Sequence, residues 1–238
     1  MEEAPSVSEE SENKPDELVP RIVNGKEARE GEFPYTVALH RQGRFICTSF
    51  LISPNIVMTA AHCVQSGNDV QPASAFYGII GNIRREGPDT RIEFSEVRPH
   101  PQYGDGTSEY DIAVFRTTQP VEYSNNIQRI CLPAAGREFE GENVISVGWG
   151  VTSTEETRGN RVFVYGRIRF RGEELMGDSG GPLVFDDPSG RNISIGVTSF
   201  GSFLGCGRPY VPVVYTATSA YNDWLIQTVG EDEDICFV

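Results

Sequence analysis

The 238-residue chain is short of positive charge, of histidine and of long apolar runs, and each shortage narrows what it can do. Twenty Lys and Arg stand against 34 Asp and Glu, a net charge of −14, so no basic surface suited to a nucleic-acid backbone is expected. No run of 18 apolar residues occurs, which leaves nothing to cross a membrane as a helix. The three histidines and five cysteines form no metal-ligand spacing, and no phosphate-binding loop is present, so neither metal nor cofactor is expected. What the chain does have is an ordinary hydrophobic fraction of 38%, enough for one large or two small cores at this length.

The acid is concentrated at the ends. Residues 1–20 hold seven acids against Lys14, and Glu231-Asp232-Glu233-Asp234 adds four more charges near the C-terminus. Both read as solvated segments, the first one disordered. Residues 1–20 contain no apolar core longer than two residues and so are not a signal peptide. Five cysteines point to an oxidising compartment, and Asn192-Ile193-Ser194 is an N-glycosylation acceptor, consistent with secretion.

Between the ends the pattern is all-β. Tyr35–Leu39, Phe50–Ile52, Ile56–Met58, Phe76–Ile80 and Ile112–Phe115 are short β-prone runs separated by Gly, Pro, Asn and Asp. Arg161 to Arg171 alternates, with Val162, Val164, Ile168 and Phe170 on one face. Tyr221, Trp224 and Leu225 fall at i, i+3 and i+4, a helix packing on a core. Short strands at close spacing predict a sandwich or a barrel.

Gly177-Asp178-Ser179-Gly180-Gly181-Pro182 is the most informative stretch. Glycines beside a serine allow positive φ and close approach of N–H groups, as a nucleophile with an oxyanion site requires. A Gly/Asp/Ser/Gly turn without chemistry is the plain alternative. Upstream, Thr59-Ala60-Ala61-His62-Cys63 and Tyr110-Asp111-Ile112-Ala113-Val114 supply a base and an acid, in the order His, Asp, Ser. Together with Arg21-Ile22-Val23-Asn24-Gly25, these stretches make the chain resemble the trypsin/chymotrypsin family of serine proteases from Ile22 to the C-terminus.

The resemblance implies two Greek-key antiparallel six-stranded β-barrels with a C-terminal helix. The first barrel would occupy about residues 22–116, a linker about 117–126, and the second barrel and helix about 127–238. It implies His62, Asp111 and Ser179 as the catalytic residues, with Ser179 the nucleophile, His62 the general base and Asp111 the group that orients the imidazole. The backbone N–H groups of Gly177 and Ser179 would form the oxyanion hole. Residues 1–21 would be an activation peptide cut after Arg21 by a trypsin-like enzyme, freeing the Ile22 ammonium to pair with Asp178. His40 and His100 are read as structural. The resemblance pairs Cys47 with Cys63 and Cys131 with Cys236. Cys206 is left without a foreseeable partner, because the position four residues before Ser179 is Leu175. The partners implied are protein or peptide substrates, an activating trypsin-like protease and protease inhibitors.

Three departures from the family pattern stand out. Between Val147-Gly148-Trp149-Gly150 and Ser179 the chain is roughly two dozen residues short, so the second barrel is expected to be shortened and opened at a strand edge. The specificity pocket is read as Glu173, Ser199, Phe200, Gly201 and Val213. Glu173 would favour basic side chains, while Phe200-Gly201-Ser202 and Gly205-Cys206 resemble arthropod chymotrypsin-like and brachyurin-type members of broader specificity. Thr48, in Cys47-Thr48-Ser49, is expected beside Ser179. Two readings follow: a secreted endopeptidase zymogen, or a protease-fold binding protein impaired by the shortened second half.

Overall fold

The computed structural model describes residues 26–86, 91–104, 109–149, 164–169, 179–200 and 214–238, with 164–169 and 200 as backbone. The first half is a closed antiparallel barrel. Its strands are β2 (Thr36–Arg41), β3 (Arg44–Ser53), β4 (Ile56–Thr59), β7 (Phe76–Ile80), β8 (Arg91–Pro99) and β9 (Ala113–Thr117), joined in the order β2-β3-β4-β9-β8-β7. The short β1 (Lys26–Glu27) precedes them, and β5 (Gln65–Ser66) pairs with β6 (Asp69–Val70) in a small ladder between β4 and β7.

Burial explains the closure. Val37, Leu39, Phe50, Leu51, Ile52, Val57 and Ile80 are fully buried, and the rings of Phe76, Phe94 and Phe115 fill the barrel, with Phe115 5.2 Å from Phe76 and 4.3 Å from Phe94. β3 runs ten residues, well beyond the Phe50–Ile52 run visible in the sequence, because its first half pairs with β2 around the turn at Gln42-Gly43. β8, which the sequence reading passed over, alternates exposed Arg91 and Glu93 with buried Ile92 and Phe94. Its period of two is that of a half-buried strand.

The second half is a sheet in the order β1-β11-β10-β12-β13-β14, with β10 at Asn143–Gly148, β11 at Val164–Arg169, β12 at Pro182–Asp186, β13 at Asn192–Phe200 and β14 at Val214–Ala217. Among the described residues this sheet is open. The second closed barrel that the resemblance implies is corrected to an open sheet, while the shortening and opened edge expected from the missing residues agree with it: no described strand lies between β11 and β12, and β11 is flanked by the two-residue β1 rather than joined to β14. The strand read as Arg161 to Arg171 is described over Val164–Arg169, and its remaining residues lie outside the described ones.

A single-turn 3-10 helix, Thr218–Tyr221, leads into α1 (Asn222–Val229), which buries Leu225 and Val229 in the same core as the barrel. No helix among the described residues is long and apolar enough to cross a membrane. Beyond α1 the acidic tail departs from the solvated segment expected. Glu233 accepts hydrogen bonds from Ser53 Oγ (2.6 Å) and Asn55 Nδ2 (3.0 Å) and pairs with Arg116 at 3.1 Å, its side chain only 8% exposed. Asp234 pairs with Arg129. Four polar partners 105 or more positions away in sequence draw two members of the run onto the protein.

Candidate active site

Register places the acid and the base together. In the β4–β9 ladder Thr59 lies opposite Ala113, so the end of β4 and the start of β9 meet at one rim of the barrel. His62 follows β4 by three residues, in the one-turn 3-10 helix Ala61–Cys63, and Asp111 precedes β9 by two. The Cys47–Cys63 disulfide anchors that turn to β3.

The contact is bidentate. Asp111 Oδ2 accepts from His62 Nδ1 at 2.7 Å, and Oδ1 accepts from the backbone N–H of His62 at 2.9 Å. Ser199 Oγ also donates to Oδ2, and Thr216 Oγ1 donates to the Asp111 carbonyl at 3.0 Å. Burial alone would raise the pKa of the Asp111 carboxyl, which is 4% exposed. The hydrogen bonds and charge of His62, with the Ser199 hydroxyl, outweigh burial and hold it below the ordinary aspartate value. With Asp111 ionised the proton of a neutral imidazole belongs on Nδ1, which leaves Nε2 as the basic nitrogen. His62 stays 30% exposed and open to a reactant.

Ser199 and Thr216 belong to β13 and β14, so the second sheet completes the surroundings of an acid that the first barrel supplies. The sequence reading placed Ser199 in a substrate-binding strand and did not foresee its hydroxyl on Asp111. A contact spanning 88 residues leaves no local signature.

Ser179 comes in from the second half. Its carbonyl accepts from the N–H of Thr48 at 3.0 Å, and the next residue donates from Gly180 N to Thr198 O at 2.7 Å. Thr48 therefore lies beside Ser179, as expected. Gly180 has φ +80°, and a Cβ there would fall 2.2 Å from Thr59 Oγ1, 2.4 Å from Thr48 O and 3.2 Å from Ala60 N. Only glycine fits a turn wedged against the chain that leads to His62. The described contacts hold Ser179 through its backbone, and a bond from its hydroxyl to His62 Nε2 is not among them; such catalytic bonds often tighten only with substrate bound.

Several expected residues lie outside the described ones: Arg21, Ile22, Glu173, Leu175, Gly177, Asp178, Gly201, Cys206 and Val213. Phe200 is described as backbone, pairing with Val214 in the β13–β14 ladder. Asn192 is half-buried at the start of β13, while Ser194 of the same acceptor sequence is fully buried, donating to Gly196 O. Cys131 is bonded to Cys236. His40 and His100 are buried among rings, His40 stacked on Tyr77 at 4.8 Å and His100 on Tyr110 at 4.8 Å. Among the described residues the potential ligand atoms of Cys47, His62 and Cys63 cluster within 4.8 Å, but the two sulfurs are bonded to each other and offer no thiolate.

A family model described as Trypsin matches residues 22–225. The "Suppressor of tumorigenicity 14 protein homolog" of Bos taurus is 33% identical over 244 residues, covering 88% of this chain and 28% of that protein. "Transmembrane protease serine 9" of Rattus norvegicus is 32% identical over 237 residues, covering 88% of this chain and 22% of that protein. The chain thus spans about a quarter of the length of the curated relatives it matches. With a match over residues 22–225 and a barrel that carries a bidentate His62–Asp111 pair, the chain belongs to the trypsin family as a trypsin-like serine protease domain.

Proposed function

We propose that this domain is a secreted serine endopeptidase made as a zymogen, hydrolysing peptide bonds through an acyl-enzyme on Ser179. The observation that carries the reading is the His62–Asp111 pair, held by two hydrogen bonds of 2.7 and 2.9 Å, with the Ser179 turn tethered to Thr48. His62 Nε2 takes the Ser179 hydroxyl proton as the oxygen attacks the scissile carbonyl, and returns it to the leaving amine. Asp111 stabilises the imidazolium that forms between these steps. Donors at Gly177 and Ser179 receive the oxyanion, where losing one costs ~10²–10³ in rate.

Cleavage after Arg21 would free an Ile22 ammonium to pair with Asp178, beside the nucleophile. Breaking a buried pair of that kind costs about 3–5 kcal/mol, enough to keep the oxyanion turn from forming in the uncut chain. Protein or peptide substrates, an activating trypsin-like protease and protease inhibitors are the partners this reading carries. The opened second sheet favours one rival: a protease-fold binding protein without turnover.

Labelling with a fluorophosphonate before and after limited trypsin cleavage, followed by intact mass spectrometry, separates the two. One adduct on Ser179, appearing only once Ile22 is the new terminus, is the expected result. A folded, correctly cut chain that takes no label overturns the endopeptidase reading and leaves the binding protein.

A further inference from the structure

Two non-glycine residues have positive φ among the described residues, Gln42 at 49° and Tyr110 at 62°. Gln42 has an ordinary reason, since it sits with Gly43 at the tip of the β2–β3 hairpin, where such turns are favoured. Tyr110 has none of that kind. A bulky aromatic in the left-handed region is a backbone outlier, and here it immediately precedes Asp111. The chain then turns again at once: Ile112 N donates to Tyr110 O at 2.8 Å, a three-residue γ-turn centred on Asp111. These two backbone features set the direction from which the Asp111 side chain leaves the chain toward His62.

Something must hold Tyr110 there. Its ring stacks face to face on His100, centroids 4.8 Å apart at 17°. His100 is itself clamped. Its N–H donates to Ile112 O at 2.9 Å, its Nδ1 accepts from Gln102 N at 3.3 Å, and the rings of Tyr221 and Trp224 lie 5.3 and 5.1 Å away. Burial lowers the pKa of His100 and favours the neutral ring that accepts from Gln102. His100 thus meets both neighbours of the acid, its ring through the stack on the residue before Asp111 and its backbone N–H through the carbonyl of the residue after it.

We propose that His100 and Tyr110 are positioning residues: their stack holds Tyr110 in the left-handed conformation that aims the Asp111 carboxylate at His62. This rests on the peptidase reading for its meaning in catalysis, but not for its geometry. No described contact joins either ring to the His62–Asp111 bond, so the effect passes through the backbone.

The test uses the full chain, cut after Arg21, in four forms: native, His100→Ala, Tyr110→Asn and the double variant. Asparagine tolerates the left-handed region without a ring to stack. Two readouts are taken: kcat and KM on a small ester, and the ¹⁵N shift of His62 Nδ1, which reports its bond to Asp111. His100→Ala is expected to lower kcat about tenfold with KM changed less than twofold and to move the Nδ1 shift. In the Tyr110→Asn background the same substitution is expected to change kcat less than twofold and leave the Nδ1 shift in place. If His100→Ala leaves Nδ1 unmoved in the native background, or moves it equally in both, the positioning role is overturned. A native chain with no turnover but the expected Nδ1 coupling would sink the endopeptidase reading and keep this one. Normal turnover without the coupling would do the reverse.

Discussion

Gly180 and Asp111 show how much one position can decide. A methyl group at Gly180 would meet Thr59 Oγ1 at 2.2 Å and Thr48 O at 2.4 Å, on a backbone at φ +80°. Gly180→Ala is therefore expected to cost at least about 1–2 kcal/mol from the left-handed backbone alone, with the clash added. The thermal midpoint should fall by several degrees, and the Ser179 turn should pull away from Thr48, read as loss of protection of the Thr48 amide in hydrogen exchange. Asp111→Asn acts on chemistry instead. An amide can offer N–H where the carboxylate offers oxygen, so the imidazole is held in the wrong tautomer, and kcat should fall on the order of 10⁴ while the midpoint moves little. The acid limb of stability follows from the same group. Because the folded pKa of Asp111 is depressed, its contribution is fully present above the ordinary aspartate value of about 3.9 and is lost as pH falls through the lower, folded value. Acid titration of unfolding should show this as a loss below about pH 4 that Asp111→Asn removes.

At the scale of elements, the tail after α1 behaves as a strap. Glu233 gathers Ser53 from the end of β3, Asn55 from the turn between β3 and β4, and Arg116 from β9, whose other guanidinium nitrogen donates to Val229 O at 2.7 Å, at the C-terminal end of α1. One carboxylate so links a hairpin turn, a strand and a helix end. Burial would raise its pKa, but the hydrogen bonds from Ser53, Asn55 and Arg116 prevail and lower it. Glu233→Ala strips those donors of a charged acceptor, worth about 1.5–3 kcal/mol by the usual measure for such bonds. Thermal melts should show a drop of roughly 3–12 °C for a chain of this size, with the fluorophosphonate reaction rate retained. Elements also show how unevenly the sequence speaks. β7 is found at Phe76–Ile80, where the β-prone run lies, because four strand formers around Gly78 are bounded by the 3-10 turn Ala73–Ala75 and by Gly81. β8 is legible in its alternation but hidden among charged residues, and β3 extends past the Phe50–Ile52 run because pairing with β2 recruits Arg44–Ser49, whose Phe45-Ile46-Cys47 lies between Arg44 and the polar Thr48 and Ser49.

At the scale of the molecule, the Cys131–Cys236 disulfide closes a loop of 105 positions around nearly the whole second sheet. Cys131 bridges to Ile193 of β13, and Leu132 to Phe237 of the tail, so the bond fastens the tail onto the sheet. In the chain-entropy account a loop of that length is worth about 4.7 kcal/mol. The Cys131→Ala/Cys236→Ala double variant should unfold at a midpoint lower by roughly 10–20 °C. A shift of under two degrees would mean that the sheet, open edge included, is held by its own packing.

The chain's own order of residues determined its class: period-two runs, the turn glycines, and the His62, Asp111 and Ser179 stretches that mark the family are all local signals. They are legible because strand alternation and tight turns depend on neighbours within a few positions. Tertiary structure alone decided the rest. It buried Glu233 out of an acidic run, turned Ser199 from a pocket strand toward Asp111, and set Tyr110 on His100. A polar side chain's partner can lie 88 or 180 positions away, and burial gives such a contact its strength, so no window along the sequence contains it.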